Sequence, residues 1–168
     1  MTVLLGWAVG NRSTAVDDFV QRARGGALDR LLVLTDHRTV AVLIVAASIV
    51  AAARRRWLLA ALVVAAPLFA VWLARFLKVF FGRYKDGSLA YPSGHTAFLV
   101  VALGMAVLVA GSRPWALVSA VLLGTLGVIG QAVTYHYFTD AIGAALLGTS
   151  VVCAAATLVY RVRPGELS

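Results

Sequence analysis

Charge is scarce in this chain, and negative charge scarcest. Of 168 residues only seven are Asp or Glu, against fifteen Lys or Arg. The six aspartates and one glutamate are scattered, so no carboxylate cluster marks a metal site. A single cysteine, Cys153, excludes an intrachain disulfide, and its apolar neighbours mark it as a small core residue. No linker, second composition zone or low-complexity segment breaks the chain, so residues 1–168 read as one domain. The opening "MTVLLGWAV" is too short to span a bilayer and lacks the positive leader and cleavage site of a signal peptide. Dense basic patches are missing too. The net charge of +8 therefore does not point to nucleic acid, because the cations punctuate apolar runs as membrane topology signals do.

Hydrophobicity is what the chain has in excess: 61% of residues, with a mean hydropathy of +0.90. A soluble domain is nearer about half apolar. A spanning helix needs about 20 predominantly apolar residues, and segments 57–77, 94–111, 115–133 and 141–160 approach or reach that length. A fifth, 39–53, must borrow from the preceding "TDHR". Before them, Thr14 and Asp17 form a capping box with Asp in place of Glu. The helix they open carries Val16, Phe19, Val20 and Ala23 on one side and ends at Gly25-Gly26. That pattern suits a helix lying along the membrane surface. The expectation is an all-α integral membrane helical bundle of five transmembrane helices, six if the N-terminus completes one. Residues 1–30 would be the N-terminal interfacial segment, 31–160 the core bundle and 161–168 a cytoplasmic tail. Gly124, Gly127 and Gly130 recur every third residue, a pattern for close helix packing in lipid.

Arg54 to Arg56, Arg113, and Arg161 with Arg163 fall at alternate turns of such a bundle, which makes that face cytoplasmic. Lys78, Arg83 and Lys85 then lie on the opposite face, against the rule. Either they are cations snorkelling from a helix end, or they bind an anion. His95 and His136 share that face, and ionisable groups at membrane depth suggest function. His37 sits in the charged "DHR" at a helix end and reads as an interfacial residue.

His136 and Asp140, four apart, share one face of a helical turn. A carboxylate holding one imidazole nitrogen would leave the other as nucleophile or base. Alternatively, Asp140 only caps the last helix. The stretch "YPSGHTAF" at 91–98 offers a second site: Ser93 as cap, Gly94 for close backbone approach, amides for phosphate, and His95 as general acid. An ordinary capped helix with an interfacial histidine remains the other reading.

In order and spacing these pieces resemble the type-2 phosphatidic acid phosphatase superfamily, the membrane lipid-phosphate phosphatases related to vanadium haloperoxidases. That family carries Lys-x6-Arg-Pro, Pro-Ser-Gly-His and Ser-Arg-x5-His-x3-Asp. Here the counterparts are "KVFFGRYKD" (78–86), "PSGH" (92–95) and "IGQAVTYHYFTD" (129–140), followed by the small-residue "AIGAALLG". The resemblance covers roughly residues 28–160. It implies a bacterial plasma-membrane enzyme, without metal or other cofactor, that hydrolyses a lipid-linked phosphate monoester or diphosphate outside the cytoplasm. Its substrate would be a polyprenyl phosphate or diphosphate, a phosphorylated polyprenyl sugar, or a phosphatidate-type lipid. It further implies His136 as the nucleophile forming a phosphohistidine, Asp140 as its orienting partner and His95 as general acid. Lys78, Lys85, Ser93 and Gly94 would bind phosphate.

Three positions depart from the family pattern. Lys85 stands for arginine and loses the bidentate fork. Asp86 stands for proline. Gly130 stands for the third motif's phosphate-binding arginine, and Arg83 is the favoured replacement over Arg75 and Gln131. With that arginine missing, a catalytically impaired relative binding lipid phosphate or a partner protein is the alternative.

Overall fold

The computed structural model describes residues 1–162. Residues 163–168 of the expected cytoplasmic tail lie outside the described residues, whereas Arg161 and Val162 end the last helix. Seven α-helices, one 3₁₀ segment and a two-stranded hairpin make up the described chain: α1 (Thr2–Val9), α2 (Ala15–Gln21), the 3₁₀ segment (Ala27–Thr35), α3 (His37–Ala53), α4 (Trp57–Phe81), β1 (Tyr84–Lys85), β2 (Ser88–Leu89), α5 (Gly94–Val109), α6 (Pro114–Thr134) and α7 (Phe138–Val162).

The helices form where the apolar runs predict them. Asp36 caps α3 by accepting from the amides of Arg38 and Thr39, so α3 begins at His37 and takes the borrowed "HR". Pro114 starts α6, a position where its missing N–H costs nothing. The helix α4 outruns its expected end by four residues, from 77 to 81, which matters for the site below. Among the described residues, α4, α6 and α7 are long and apolar enough to cross a membrane. The 3₁₀ segment and α3, bent by 41° at their junction, supply a fourth crossing if they count as one span. At 16 residues α5 is shorter, and α1, with eight, is far too short.

The core is built from small residues. Ala47, Ala51, Ala60, Ala70, Ala74, Ala97, Ala102 and Ala144 are all buried where α3, α4, α5 and α7 meet. Small side chains let helix backbones approach, which is how helices gain packing energy in lipid. Bulk goes to the outside: Val42, Ile49, Phe69, Trp72, Phe76, Val118 and Val121 are exposed. That inversion of the soluble pattern fits an outer surface solvated by lipid. The glycines of α6 do what their spacing predicts, within the chain itself. A methyl at Gly127 would overlap Leu99 of α5, and one at Gly130 would lie 2.9 Å from Leu31 of the 3₁₀ segment. Gly124 is looser, with its nearest neighbour at 3.8 Å.

Two expectations change. Cys153 is exposed on the outer side of α7 rather than buried in the core, because the apolar run it sits in faces outward as well as inward. The helix α2 has its expected capping box, with Thr14 and Asp17 exchanging hydrogen bonds. Yet Asp17 faces the protein interior while Val16 and Phe19 face out.

Candidate active site

One end of the bundle collects the polar groups. There α4 carries Lys78 in its last turn and stops at Gly82, whose φ of 59° is the left-handed end that glycine takes without strain. Arg83 follows, then the hairpin, with Tyr84 opposite Leu89 and Lys85 opposite Ser88. Its two turn residues, Asp86 and Gly87, have φ of 50° and 80°. Positive φ at both positions is what a two-residue hairpin turn requires. Proline, locked near −65°, cannot take the first of these, so the hairpin accounts for aspartate there. Asp86 itself is exposed and pairs with Arg24 at 3.4 Å.

The hairpin turns Lys85 inward, where its Nζ donates to the His136 carbonyl at 2.8 Å and lies over the Tyr137 ring. Lys78 Nζ donates to the Leu89 carbonyl at 2.7 Å. Burial lowers the pKa of Lys85 below the ordinary lysine value, and the Asp86, Asp140 and Asp17 carboxylates counter it.

Across from these cations stands the start of α5. Ser93 is fully buried and accepts from the Thr96 amide and hydroxyl as the helix cap. Its own amide donates to the Asp140 carbonyl at 3.2 Å, which ties this stretch to α7. Space above Gly94 is open. His95 is exposed, with its ring centroid 4.7 Å from that of His37 at the start of α3. His37, expected as a merely interfacial residue, thus borders the site.

The turn between α6 and α7 holds the third group. Asp140 is fully buried, and its Oδ2 accepts from the Tyr137 amide at 3.0 Å, capping α7. The same Oδ2 lies 3.8 Å from His136 Nδ1, too far for a hydrogen bond. That nitrogen is buried with no partner. Burial lowers the His136 pKa below the ordinary histidine value, and nearby Asp140 only partly restores it against Lys78 and Lys85. Burial thus favours the neutral form of the imidazole.

Arg83 is the centre of the network. Its Nη1 donates to Asp140 Oδ1 at 2.8 Å and to the Thr139 hydroxyl at 2.7 Å. Its Nη2 donates to Asp17 Oδ2 and to the Arg12 carbonyl, each at 2.9 Å. Arg83, Asp17 and Asp140 have no exposed side-chain surface. Asp17 also accepts from the amide and hydroxyl of Thr139 and from Thr14. For Asp17 burial is the largest single influence and raises the pKa. The Thr139 and Thr14 hydrogen bonds together with Arg83 outweigh it, and the net shift is downward. Gln21, one turn beyond Asp17, donates to the carbonyls of Ala132 and His136.

The structure therefore brings Lys78, Lys85, Ser93, Gly94, His95, His136, Asp140 and Arg83 to one end. It turns Arg83 onto two carboxylates rather than outward; only its Nε is left without a partner. Gly130 is not at an open position, since the 3₁₀ segment packs its Leu31–Leu32 backbone on it. Asp17, Gln21 and Thr139 were not legible as site residues. The one available signal was an acid pair, Asp17-Asp18, in a helix whose apolar side seeks lipid. Among the described residues no three His, Cys, Asp or Glu side chains gather as a metal site. Comparison with protein-family models, curated proteins and solved structures gives no match.

Proposed function

We propose that this chain is a membrane lipid-phosphate phosphatase that works through a phosphohistidine. The observation that carries the reading is the convergence of a neutral, buried His136 with Lys78, Lys85 and the start of α5 at one end of an apolar bundle. Cations kept beside a helix start, whose leading amides lack intrahelical acceptors, suit a phosphate group. His136 Nε2 would attack phosphorus while Nδ1–H faces Asp140; the bond to the bridging oxygen breaks, and that oxygen takes a proton from His95. Water then attacks the phosphohistidine, the phosphorus–nitrogen bond breaks, and His95 takes the water's proton. The gap of 3.8 Å between His136 and Asp140 is of the kind that tightens when substrate binds.

In this reading α3 to α7 cross the bilayer as five spans. At about 1.5 Å per residue, the 16 residues of α5 reach about 24 Å against a hydrocarbon core of about 30 Å; its polar N-terminus then sits at the outer interface. The exposed arginines mark the cytoplasmic face of a bacterial plasma membrane. The substrate is a polyprenyl phosphate or diphosphate, a phosphorylated polyprenyl sugar, or a phosphatidate-type lipid. Purified full-length protein in detergent, without added metal, should release phosphate from at least one of these. His136→Ala should lower that rate by about a thousandfold or more. An unchanged rate in His136→Ala would falsify the mechanism.

One observation favours a second reading, a catalytically impaired protein that binds lipid phosphate. Both ammonium groups already donate to carbonyl oxygens, and Arg83 spends its terminal nitrogens within the protein. Retained binding of lipid phosphate with no turnover on any member of the panel would select it.

A further inference from the structure

We propose that Asp17, on the N-terminal helix α2, is a positioning residue of the phosphate site, acting on His136 through Arg83 and Asp140. The inference rests on the phosphatase reading for its kinetic consequence, but its geometry stands apart from it. Asp17 is far from the histidine–lysine set in sequence and completely buried. It binds Arg83 Nη2 at 2.9 Å and both donors of Thr139, the residue just before Asp140. Arg83 Nη1 in turn holds Asp140 Oδ1, which leaves Oδ2 as the oxygen facing His136 Nδ1. A carboxylate with one oxygen fixed has little freedom to rotate the other. The helix carrying Asp17 is moored a second time, because Gln21 on the same face donates to the carbonyl of His136 itself.

Without Asp17, Arg83 keeps its charge but loses one of the two carboxylates that divide it. Asp140 is then held less firmly, and the site gains one net positive charge. Both changes disfavour the His136 imidazolium. The groups facing it are Lys78 of α4, Arg83 and Lys85 around β1, His95 of α5, Tyr137 in its own turn, Asp140 of α7 and, through Arg83, Asp17 of α2. Asp17 touches none of the groups proposed to bind phosphate; Arg83, which it holds, is turned inward. Its loss should therefore act on turnover more than on substrate affinity.

The test uses the full chain in detergent. Asp17→Asn should lower kcat by about ten- to a hundredfold with KM within about twofold, and should move the acid limb of the kcat profile to lower pH. Histidine-selective NMR on the same variant should show the His136 titration moving the same way. If Asp17→Asn does not fold, Thr139→Ala removes the hydroxyl shared by Asp17 and Arg83 while keeping both charges, and should shift both readouts in the same direction by less. A variant with wild-type kcat and an unmoved His136 titration would overturn the proposal. So would a loss of activity that only tracks the lost folded fraction. If the wild-type protein hydrolyses no lipid phosphate, the function reading fails, yet the NMR titration still decides the role of Asp17.

Discussion

At one end of the bundle Arg54, Arg55, Arg113 and Arg161 stand exposed; at the other, Arg83 and Lys85 are buried. Arg54 and Arg56 each reach the Val109 carbonyl, at 2.9 and 3.4 Å, where they meet the negative end of α5. Trp57, Trp115 and Tyr160 flank that end and remain exposed, as aromatic residues do at a membrane interface. At the polar end Lys78, Lys85 and Arg83 each have fixed partners, and Arg83 has two carboxylates. The same chemical group thus stays in contact with water at one end and becomes a framework where water does not reach it.

Breaking the framework should cost most. Arg83→Ala leaves Asp17 and Asp140 buried without their cation, so thermal unfolding in detergent should show a loss of about 3–5 kcal/mol, and phosphate release should disappear with it. A loss as small as that of an exposed arginine would erase the distinction between the two ends. Gly130→Arg comes next. Although it introduces the residue found in the superfamily that the sequence resembles, the side chain would meet the Leu31–Leu32 backbone. It should destabilise by about 1–3 kcal/mol or more and bring no gain in turnover.

Acid should then separate the ends without mutation. The folded-state pKa of His136 lies below the unfolded value of about 6.5. Between the two, the unfolded chain binds more protons, so stability falls as pH drops from about 6.5 toward the folded value. The contribution of Asp17, whose folded pKa is lowered, is present above about 3.8 and is lost as pH falls through its folded value. Melting temperature followed from pH 8 to about pH 2 should decline in that order, and His136→Gln should flatten the first step. The smallest effect belongs to the exposed end: Arg113→Gln should change stability by less than about 0.5 kcal/mol, a value that a melting curve can bound.

Much of this arrangement was legible in the sequence, and for a local reason. The helix start at 94 is set by Ser93, as the sequence indicates; Asp36 and Pro114 set the starts at 37 and 114, just ahead of apolar runs read from 39 and 115. The motif residues from Lys78 to Asp140 could be read because their spacing carries the pattern. What stayed hidden is what depends on distant partners. Nothing near Asp17 in sequence reveals Arg83, 66 residues away, and nothing near Gly130 reveals Leu31. The hairpin was hidden differently: with two residues in each strand it has no periodicity to read, only the Asp-Gly turn. The number of spans also lies beyond periodicity, because the 3₁₀ segment and α3 form one crossing or none according to a bend that composition does not encode.

The side chain of Tyr91 lies between two glycines. A methyl at Gly143 would overlap its ring, and one at Gly6 would sit 2.8 Å from it and closer still to Phe81. Its hydroxyl donates to the Thr2 carbonyl, and burial pushes the phenol up to about 12. Positions 6, 91 and 143 are thus written together. A sequence that adopts this fold with alanine at 143 must give up tyrosine at 91, and the opening helix then loses its anchor. Three letters far apart in the text spell a single steric word, and a change to one is a misprint unless the others are edited to match.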